Sequence, residues 1–328
     1  QDLGKRSICV VLSGTGSDGT KGASLIKEAG GLVISQTPES AEYEGMPKSV
    51  IDAGLADFIL PPDEIPDKLL SYVGHSYQLH SLIPSQRSSP KDELLKKICV
   101  LLRSKTGHDF SLYKQSTVMR RIERRMAVNG INETKDYLLH LQRSPDEFRL
   151  LFNDILIGVT SFFRDDDSFS ALYEKVIPVI FEMNEESLFI RIWVAGCSTG
   201  EEAYSVAILL HEHKNKLNKN FHLQVFATDI DESSIQKART GVFPETIKGL
   251  VSPERLKRYF VQDPEKGFYR IQKEIRDTIV FSVHDVAKDP PFSRLDLICC
   301  RNLLIYFESD LQKKVLPLFH YALKNGGF

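Results

Sequence analysis

The chain has 328 residues, more than one hydrophobic core usually serves, so two or three compact units are expected. Its 42% hydrophobic and 26% charged residues are typical of an ordinary globular protein, and its net charge of -2 argues against a globally basic nucleic-acid binder. No run approaches the about 20 apolar residues that span a bilayer, so direct membrane insertion is not predicted.

The first block, residues 1–74, is predicted to be a partial α/β segment. An apolar strand, SICVVLS, leads into the loop GTGSDGTKG and a helix that a glycine closes, and two more strands and a helix follow. Residues 75–91 are polar and without period, which predicts a linker. Both ends of the chain look cut, so we expect a piece of a longer protein.

Residues 92–185 are predicted to form a small all-helical domain, because four successive segments carry apolar residues at spacings of three and four. From residue 186 to residue 328, apolar strands and amphipathic helices alternate. That alternation predicts a Rossmann-like α/β domain with a largely parallel sheet and helices on both faces.

The five cysteines lie in or beside apolar elements and not in paired spacings, which predicts neither a disulfide framework nor a metal site. A reducing, cytoplasmic compartment fits this pattern best. The cysteines occupy positions 9, 99, 197, 299 and 300.

The stretch WVAGCSTGEEAYS, residues 193–205, joins a strand to a helix through a glycine loop. Ligands of this fold lie outside the carboxyl ends of the strands, and a dinucleotide would place its pyrophosphate on the helix N-terminus. Glu201 and Glu202 would repel that group, and the spacing of Gly196 and Gly200 fails the G-x-G-x-x-G pattern. An NAD-dependent oxidoreductase therefore remains only as a rival hypothesis.

S-adenosylmethionine removes the conflict, because it has a ribose diol, an ammonium group and a sulfonium but no phosphate. Asp229, at the end of the next strand, lies where a ribose-binding acid belongs in this topology. The plainer interpretation is that Glu201 and Glu202 only favour the helix dipole as first-turn acids, and for Glu202 it is at least equally good. Later strand ends offer Asp285 and Val286 for an adenine.

Four segments in order resemble CheR, the chemoreceptor glutamate O-methyltransferase, over residues 95–328. They are SFFR (161–164), AGCSTGEEAYS (195–205), ATDID (227–231) and CCRNLLIYF (299–307). The resemblance implies methyl transfer from S-adenosylmethionine to a glutamate on a receptor's cytoplasmic helix, with S-adenosylhomocysteine as product. The alternative is a signalling scaffold that binds this cofactor without turnover.

The family's site residues carry over by position. Arg164 and Tyr306 would lie nearest the reacting methyl group, and Gly158 departs from the asparagine that is common in the family, at a cost of about 1 kcal/mol or somewhat more. The implied cofactor contacts are Thr160, Arg164, Glu201, Asp229, Asp285, Val286, Asn302 and Leu303.

The first block resembles the C-terminal part of CheB, the methylesterase that removes this modification, through VVLSGTGSDGTKGA (10–23). The resemblance makes Asp18 the acid of a Ser-His-Asp triad whose serine and histidine we expect upstream. Asp18 alone catalyses nothing, so an inert esterase part of an esterase–transferase fusion is expected.

The helix near residues 117–128 carries four arginines, opposite an apolar arc, and we interpret them as a positive face. This helix resembles the basic helix of the CheR family that docks the receptor's methylation helix. The alternatives are that the arginines form a solvated surface or bind RNA. The arginines are Arg120, Arg121, Arg124 and Arg125.

Residues 243–281 resemble the family's small inserted β-subdomain. Some members grip a receptor-tail peptide with a glycine-rich loop there, but QDPEKG (262–267) is short and has one glycine. No tether to a receptor-tail pentapeptide is predicted.

Overall fold

A computed structural model describes residues 6–81, 90–156, 158–263 and 267–328. The chain divides into two compact units, unit 1 (Gln1–Ile157) and unit 2 (Gly158–Phe328). Within the described ranges, no helix is both long enough and apolar enough to cross a membrane.

Unit 1 begins with three parallel strands in the order β1-β2-β3, and the predicted strands of the first block are confirmed. The strands are β1 (Ile8–Val11), β2 (Leu32–Gln36) and β3 (Phe58–Leu60). The helices are α1 (Thr20–Glu28), α2 (Gly45–Asp52), α3 (Ile65–Ser81), α4 (Pro90–Thr106), α5 (Gln115–Asn129), α6 (Thr134–Arg143) and α7 (Pro145–Leu156).

The strand β2 is buried on both faces, and its alternating side chains serve two different cores. Val33 packs with residues of α1 and α2, whereas Leu32 and Ile34 join the apolar side chains of α3 to α7. Successive strand residues point to opposite faces, so the helices α3 to α7 cover one face of this small sheet. The sequence pattern predicts two domains here, but they share one core in the structure.

The predicted linker, residues 75–91, is helical at both of its ends in the structure. Helix α3 continues through Ser81 and α4 begins at Pro90. Residues 82–89 lie outside the described residues.

The prediction that the arginines of α5 form an exposed basic face is wrong. Arg121, Arg124 and Arg125 are 2%, 4% and 6% exposed, and Arg120 is half-buried. The helix spacing correctly placed the arginines on one side, but unit 1 packs against that side as well. A docking role for this face is therefore not supported by the structure.

The buried arginines satisfy carbonyl and carboxylate oxygens inside unit 1. Arg121 donates to the carbonyl oxygens of Lys27 and Glu28 at 3.0 and 2.9 Å, at the end of α1. Cations stabilise the carbonyl groups at a helix C-terminus, which explains this placement. Arg124 pairs with both Asp57 and Asp154.

Unit 2 is an α/β domain that begins with two short helices, α8 (Asp166–Ala171) and α9 (Ile177–Met183). The sequence pattern places these helices in the helical domain, up to residue 185, but their apolar side chains belong to the core of unit 2. The other helices are α10 (Glu201–Leu217), α11 (Glu232–Thr240), α12 (Pro253–Tyr259), α13 (Lys273–Asp277) and α14 (Ser309–Ala322). The strands are β4 (Phe189–Ala195), β5 (His222–Asp229), β6 (Val242–Pro244), β7 (Phe260–Asp263), β8 (Phe268–Ile271), β9 (Ile279–Val283) and β10 (Leu297–Cys299).

The main sheet of unit 2 has the order β10-β4-β5-β9, and all its pairs are parallel, as predicted. The chain moves from β4 to β5 on one side and places β10 on the other side of β4. The order therefore reverses between β4 and β10, and ligands of open α/β sheets bind in the crevice at such a switch point.

The strands β6, β8 and β7 form a separate antiparallel sheet, which is the predicted β-subdomain. Along the chain, this subdomain is inserted between β5 and β9. Its range is corrected at one end, because β9 belongs to the main sheet and not to the subdomain. Residues 264–266 of the QDPEKG loop lie outside the described residues, so the predicted absence of a peptide tether is untested.

Candidate active site

The glycine loop lies where β4 ends, at the switch point of the sheet. Gly196 and Gly200 have φ of 76° and 98°, in the left-handed region that favours glycine. A Cβ atom at Gly200 would lie 3.0 Å from the Cβ of Ala238, and one at Gly196 would lie 3.3 Å from Leu303 Cδ2. The two glycines thus let the loop turn tightly, with Gly196 beside the segment that follows β10 and Gly200 beside α11.

Asp229 ends β5 and holds the glycine loop in place. Its Oδ2 accepts the backbone N–H of Ser198 at 2.8 Å, and its Oδ1 accepts that of Asp231 at 3.0 Å. Burial raises the pKa of this carboxyl group, although the backbone N–H groups oppose that shift. Each carboxylate oxygen accepts up to two hydrogen bonds, so acceptor capacity remains for a ligand hydroxyl.

Glu201 occupies the first turn of α10, directly after Gly200. Its Oε2 accepts a hydrogen bond from the Thr199 hydroxyl at 2.6 Å, and burial raises the pKa of its carboxyl group. Residues Ala203–His211 of the same helix are all buried, so α10 is a rigid central element that fixes this side chain.

Gly158 is close to the glycine loop. The Ser198 hydroxyl donates to the Gly158 carbonyl oxygen at 3.1 Å, and a Cβ at position 158 would lie 3.3 Å from that hydroxyl oxygen. Any larger residue at position 158 therefore requires a small shift of Ser198.

The segment 161–165, named here the Arg164 loop, runs past the same end of the sheet. The Arg164 Nη1 donates to the Val159 carbonyl oxygen at 3.0 Å. Phe163 and Asp165, on either side of Arg164, have φ of 48° and 62°. Together with Ser198 and Asn302, they make up four of the seven non-glycine residues with positive φ in the described part of the chain. Such strained conformations cluster at functional sites.

The small sheet supports the Arg164 loop from one side. The ring of Phe162 lies edge-on to Phe243 and Phe260, with centroids 4.7 and 5.5 Å apart. The Arg255 guanidinium lies 4.3 Å from the ring centre of Phe163 and is held by two hydrogen bonds of 2.9 Å to Glu212 of α10. The inserted subdomain therefore helps to shape the site.

Arg301 and Glu202 also lie at this site. The sequence did not point to Arg301, and for Glu202 a structural role was at least an equally good interpretation. Arg301, after β10, lies 3.6 Å from Glu202 across an ion pair, and burial raises the pKa of Glu202 to about 7. Arg301 was missed because nothing in CCRN (299–302) separates it from a solvated arginine. Its place between β10 and Asn302 is the one signal that points to it.

The remaining predicted cofactor residues lie at the expected edge of the sheet. Asp285 and Val286 follow β9, and the Asp285 carboxylate accepts the backbone N–H of Ala287 at 2.9 Å in a local turn. Asn302, after β10, has a φ of 54°, and the Leu303 side chain lies beside Gly196. Thr160 and Tyr306 are both half-buried.

Asp18 is exposed in the loop before α1, in unit 1. It follows β1 as the resemblance implies. It belongs to a different unit from the glycine loop.

The acceptor groups around the glycine loop suit S-adenosylmethionine. Three acidic side chains surround the mouth of α10, and the Glu202 Oε1 is buried without a hydrogen-bond partner within the described residues. Partly buried carboxylates favour hydroxyls and cations and disfavour phosphates, so the crevice fits a ligand with a diol, an ammonium group and a sulfonium.

Comparison with known families agrees with this chemistry. The family model for the CheR methyltransferase SAM-binding domain matches residues 158–328, more than half of the chain. The chain belongs to the CheR methyltransferase family. The model for the all-alpha domain of CheR matches residues 93–156, and that for the CheB methylesterase matches residues 1–69. S-adenosylmethionine is therefore the cofactor of unit 2, as predicted.

Similar proteins come from several bacteria. An uncharacterised 104.1 kDa protein of Rhodobacter capsulatus is 39% identical over 99% of this chain, and the chain spans 36% of its length. The putative methyltransferase Cher3 of Pseudomonas putida is 34% identical over 68% of this chain and 81% of its own. The chemotaxis protein methyltransferase of Salmonella typhimurium is 31% identical over 74% of this chain and 83% of its own.

Proposed function

We propose that unit 2 transfers the methyl group of S-adenosylmethionine to the side-chain carboxylate of a glutamate on a chemoreceptor's cytoplasmic helix. The observation that carries this proposal is the set of partly buried carboxylates around the glycine loop, in a chain of the CheR family. The proposal places the chain in the cytoplasm.

Asp229 and Glu201 would hold the cofactor's polar groups at the end of β4. Asp229 is already oriented by two backbone N–H groups, and Glu201 by the Thr199 hydroxyl. Such orientation lowers the entropy lost on binding. Thr160, Asp285, Val286, Asn302 and Leu303 would complete the cofactor contacts from the neighbouring loops.

When bound, S-adenosylmethionine supplies a methyl group on a positively charged sulfur, and its transfer to an ionised carboxylate yields a methyl ester and neutral S-adenosylhomocysteine without a proton transfer. An exposed glutamate has a pKa near 4.3, so the chain needs no strong general base. Its task is to orient the acceptor, and positioning of this kind contributes several kcal/mol.

We assign that task to Arg164. Its guanidinium is partly buried, and one N–H group is fixed on the Val159 carbonyl oxygen. A guanidinium held in this way has a fixed plane, so its contact with a carboxylate would run in a defined direction. Tyr306, half-buried in the turn Leu304–Tyr306, would donate a hydrogen bond or close over the methyl group.

We expect no ester hydrolysis from Asp18, since a triad acid acts only through a histidine. The relatives named as chemotaxis protein methyltransferases support a receptor as substrate for unit 2.

Radiolabelled methyl transfer to a cytoplasmic receptor fragment tests the proposal. The expected result is incorporation of a base-labile methyl ester that disappears when the acceptor glutamates are replaced by alanine. Binding of S-adenosylhomocysteine without any transfer would favour a scaffold instead, for which the residue difference at Gly158 is the motivating observation. Binding of NADH would contradict both.

A further inference from the structure

We propose that Arg301 is a positioning residue, which fixes the Arg164 loop to the end of β10 with Glu202 of α10 as its anchor. The inference rests on the proposed function, because the loop carries the arginine assigned to the acceptor. It names a residue that acts through Arg164 and not on the reacting atoms.

Arg301 contacts the loop at two points. Its Nη2 donates to the Arg164 carbonyl oxygen at 2.7 Å and to the Asp165 Oδ2 at 2.8 Å. Its guanidinium also lies 4.9 Å from the ring centre of Phe169, in α8. A single side chain thus holds the backbone of Arg164, the following residue and the next helix.

The loop needs such a restraint because its backbone is strained. Phe163 and Asp165 both have positive φ, which costs a side-chain-bearing residue about 1–2 kcal/mol each. Without a contact that fixes the peptide between them, these residues would relax toward negative φ. The Arg164 side chain would then point in another direction.

Glu202 keeps Arg301 in place from the opposite side. The Arg301 Nη1 lies 3.6 Å from the Glu202 Oε2, and the two side chains are 24% and 15% exposed. Arg301 thus has a carboxylate on each side, Asp165 at Nη2 and Glu202 at Nη1, and the two together fix the plane of its guanidinium toward the loop.

The anchor is sensitive to pH near neutrality. Burial raises the pKa of Glu202 to about 7, although Arg301 and then Arg164 oppose that shift and Asp165 adds to it. The other groups that face Glu202 are thiols, and burial raises the pKa of each: to about 12 for Cys300, and further for Cys197 and Cys299. The thiols stay neutral around neutral pH, so Glu202 is the group in this cluster whose titration we expect to loosen Arg301.

Hydrogen exchange of the protein without cofactor tests the positioning role independently of activity. Arg301→Lys keeps the charge, but a single ammonium nitrogen cannot lie beside Glu202 and also donate to the loop, as Nη1 and Nη2 of the arginine do. We expect amide exchange in residues 158–165 to rise at least about tenfold, whereas exchange in β4 stays within about twofold. Arg270→Lys, on an exposed position of β8, is the matched control and should change neither segment.

Binding of S-adenosylhomocysteine by calorimetry supplies the second measurement. We expect the wild type to bind several-fold more tightly at about pH 8.5 than at about pH 6, and Glu202→Gln to remove that difference. Exchange in residues 158–165 unchanged by Arg301→Lys, or raised equally in β4, would overturn the inference. A wild type that binds no S-adenosylhomocysteine would end the proposed function, while the exchange result would still decide the positioning role.

Discussion

The backbone N–H of Ser198 donates to the Oδ2 of Asp229 at 2.8 Å, so the acid at the end of β5 also fixes the glycine loop at the end of β4. Asp229 therefore has two roles that the sequence cannot separate. It shapes the loop before any ligand arrives, and in the proposed site its remaining lone pairs would accept hydrogen bonds from the ligand.

Asp229→Asn should weaken binding of S-adenosylhomocysteine by about 1–3 kcal/mol, or roughly 5- to 100-fold. The amide oxygen can replace only one of the two acceptors, and the amide N–H₂ would face the N–H of Ser198 or of Asp231. Calorimetric titration of the variant beside the wild type measures the loss.

Asp231→Asn is the matched control for that experiment. The Asp231 side chain caps α11 by accepting from Ser233 at 2.9 Å, and asparagine is an equally good cap. Affinity within about twofold of the wild type is expected for this control. Equal affinities of Asp229→Asn and the wild type would show that the cofactor lies elsewhere.

The contribution of Glu202 to the stability of unit 2 should decrease as the pH rises. Burial raises the pKa of Glu202 from 4.5 to about 7, so the folded state binds its proton more tightly than the unfolded state between these values. The free energy of unfolding therefore decreases across this window, by up to about 3 kcal/mol.

Glu202→Gln isolates this contribution, since both proteins share every other titrating group. We expect the unfolding free energy of Glu202→Gln to rise relative to the wild type by up to about 3 kcal/mol between pH 4.5 and about pH 8. Denaturant unfolding of the two proteins in parallel measures it. A difference that does not change with pH would mean that Glu202 titrates at its ordinary value.

The contact between Gly158 and Ser198 predicts a coupled effect of two substitutions. Gly158→Ala places a Cβ 3.3 Å from the Ser198 hydroxyl, so the glycine loop must shift by a few tenths of an ångström. We expect a loss of affinity for S-adenosylhomocysteine of about threefold.

The same Gly158→Ala change in a Ser198→Ala background should cost less, because the hydroxyl that obstructs the Cβ is gone. A double-mutant cycle on the four proteins gives the coupling, for which about 0.5 kcal/mol or more is expected. Additive losses would exclude a direct contact between the two positions.

The local pattern of the sequence was enough to predict the main features of unit 2. Strand, loop and helix around Gly196 and Gly200 follow from apolar runs and from glycines that the backbone conformation requires. Glu201 and Asp229 were selected because charge at a helix mouth restricts the ligand, and both lie beside the glycine loop; their contact with the cofactor stays a prediction. Arg301 was not, because its meaning depends on a loop more than 130 residues away along the chain.

The arginines of α5 show the converse limit. Helical spacing predicts which side chains share a face, but it does not tell what that face packs against. Arg124 meets Asp57, which is 67 positions earlier in the sequence, and Asp154, which is 30 positions later. A charged stripe is usually solvated, and here long-range pairing overrides that expectation.

The buried group of Arg124, Asp57 and Asp154 yields the last prediction, which concerns the stability of unit 1. Their side chains are 2%, 3% and 10% exposed. Burial alone would raise the pKa of Asp57, but Arg124 and then Lys27 hold it below its ordinary value. Arg124→Ala would leave two buried carboxylates without this partner, so unit 1 should lose about 3–5 kcal/mol of stability.

Hydrogen exchange of the α5 amides measures this loss without requiring a two-state transition of the whole chain. Arg149→Ala is the control, because Arg149 and its partner Asp146 are 71% and 86% exposed, and a change within about 0.5 kcal/mol is expected. Since Asp57 lies beside β3 and Asp154 in α7, an equally large effect of Arg124→Ala on the amides of β2 would mean that the methylesterase segment and the helical domain unfold together. Equal effects of the two substitutions would contradict the buried network.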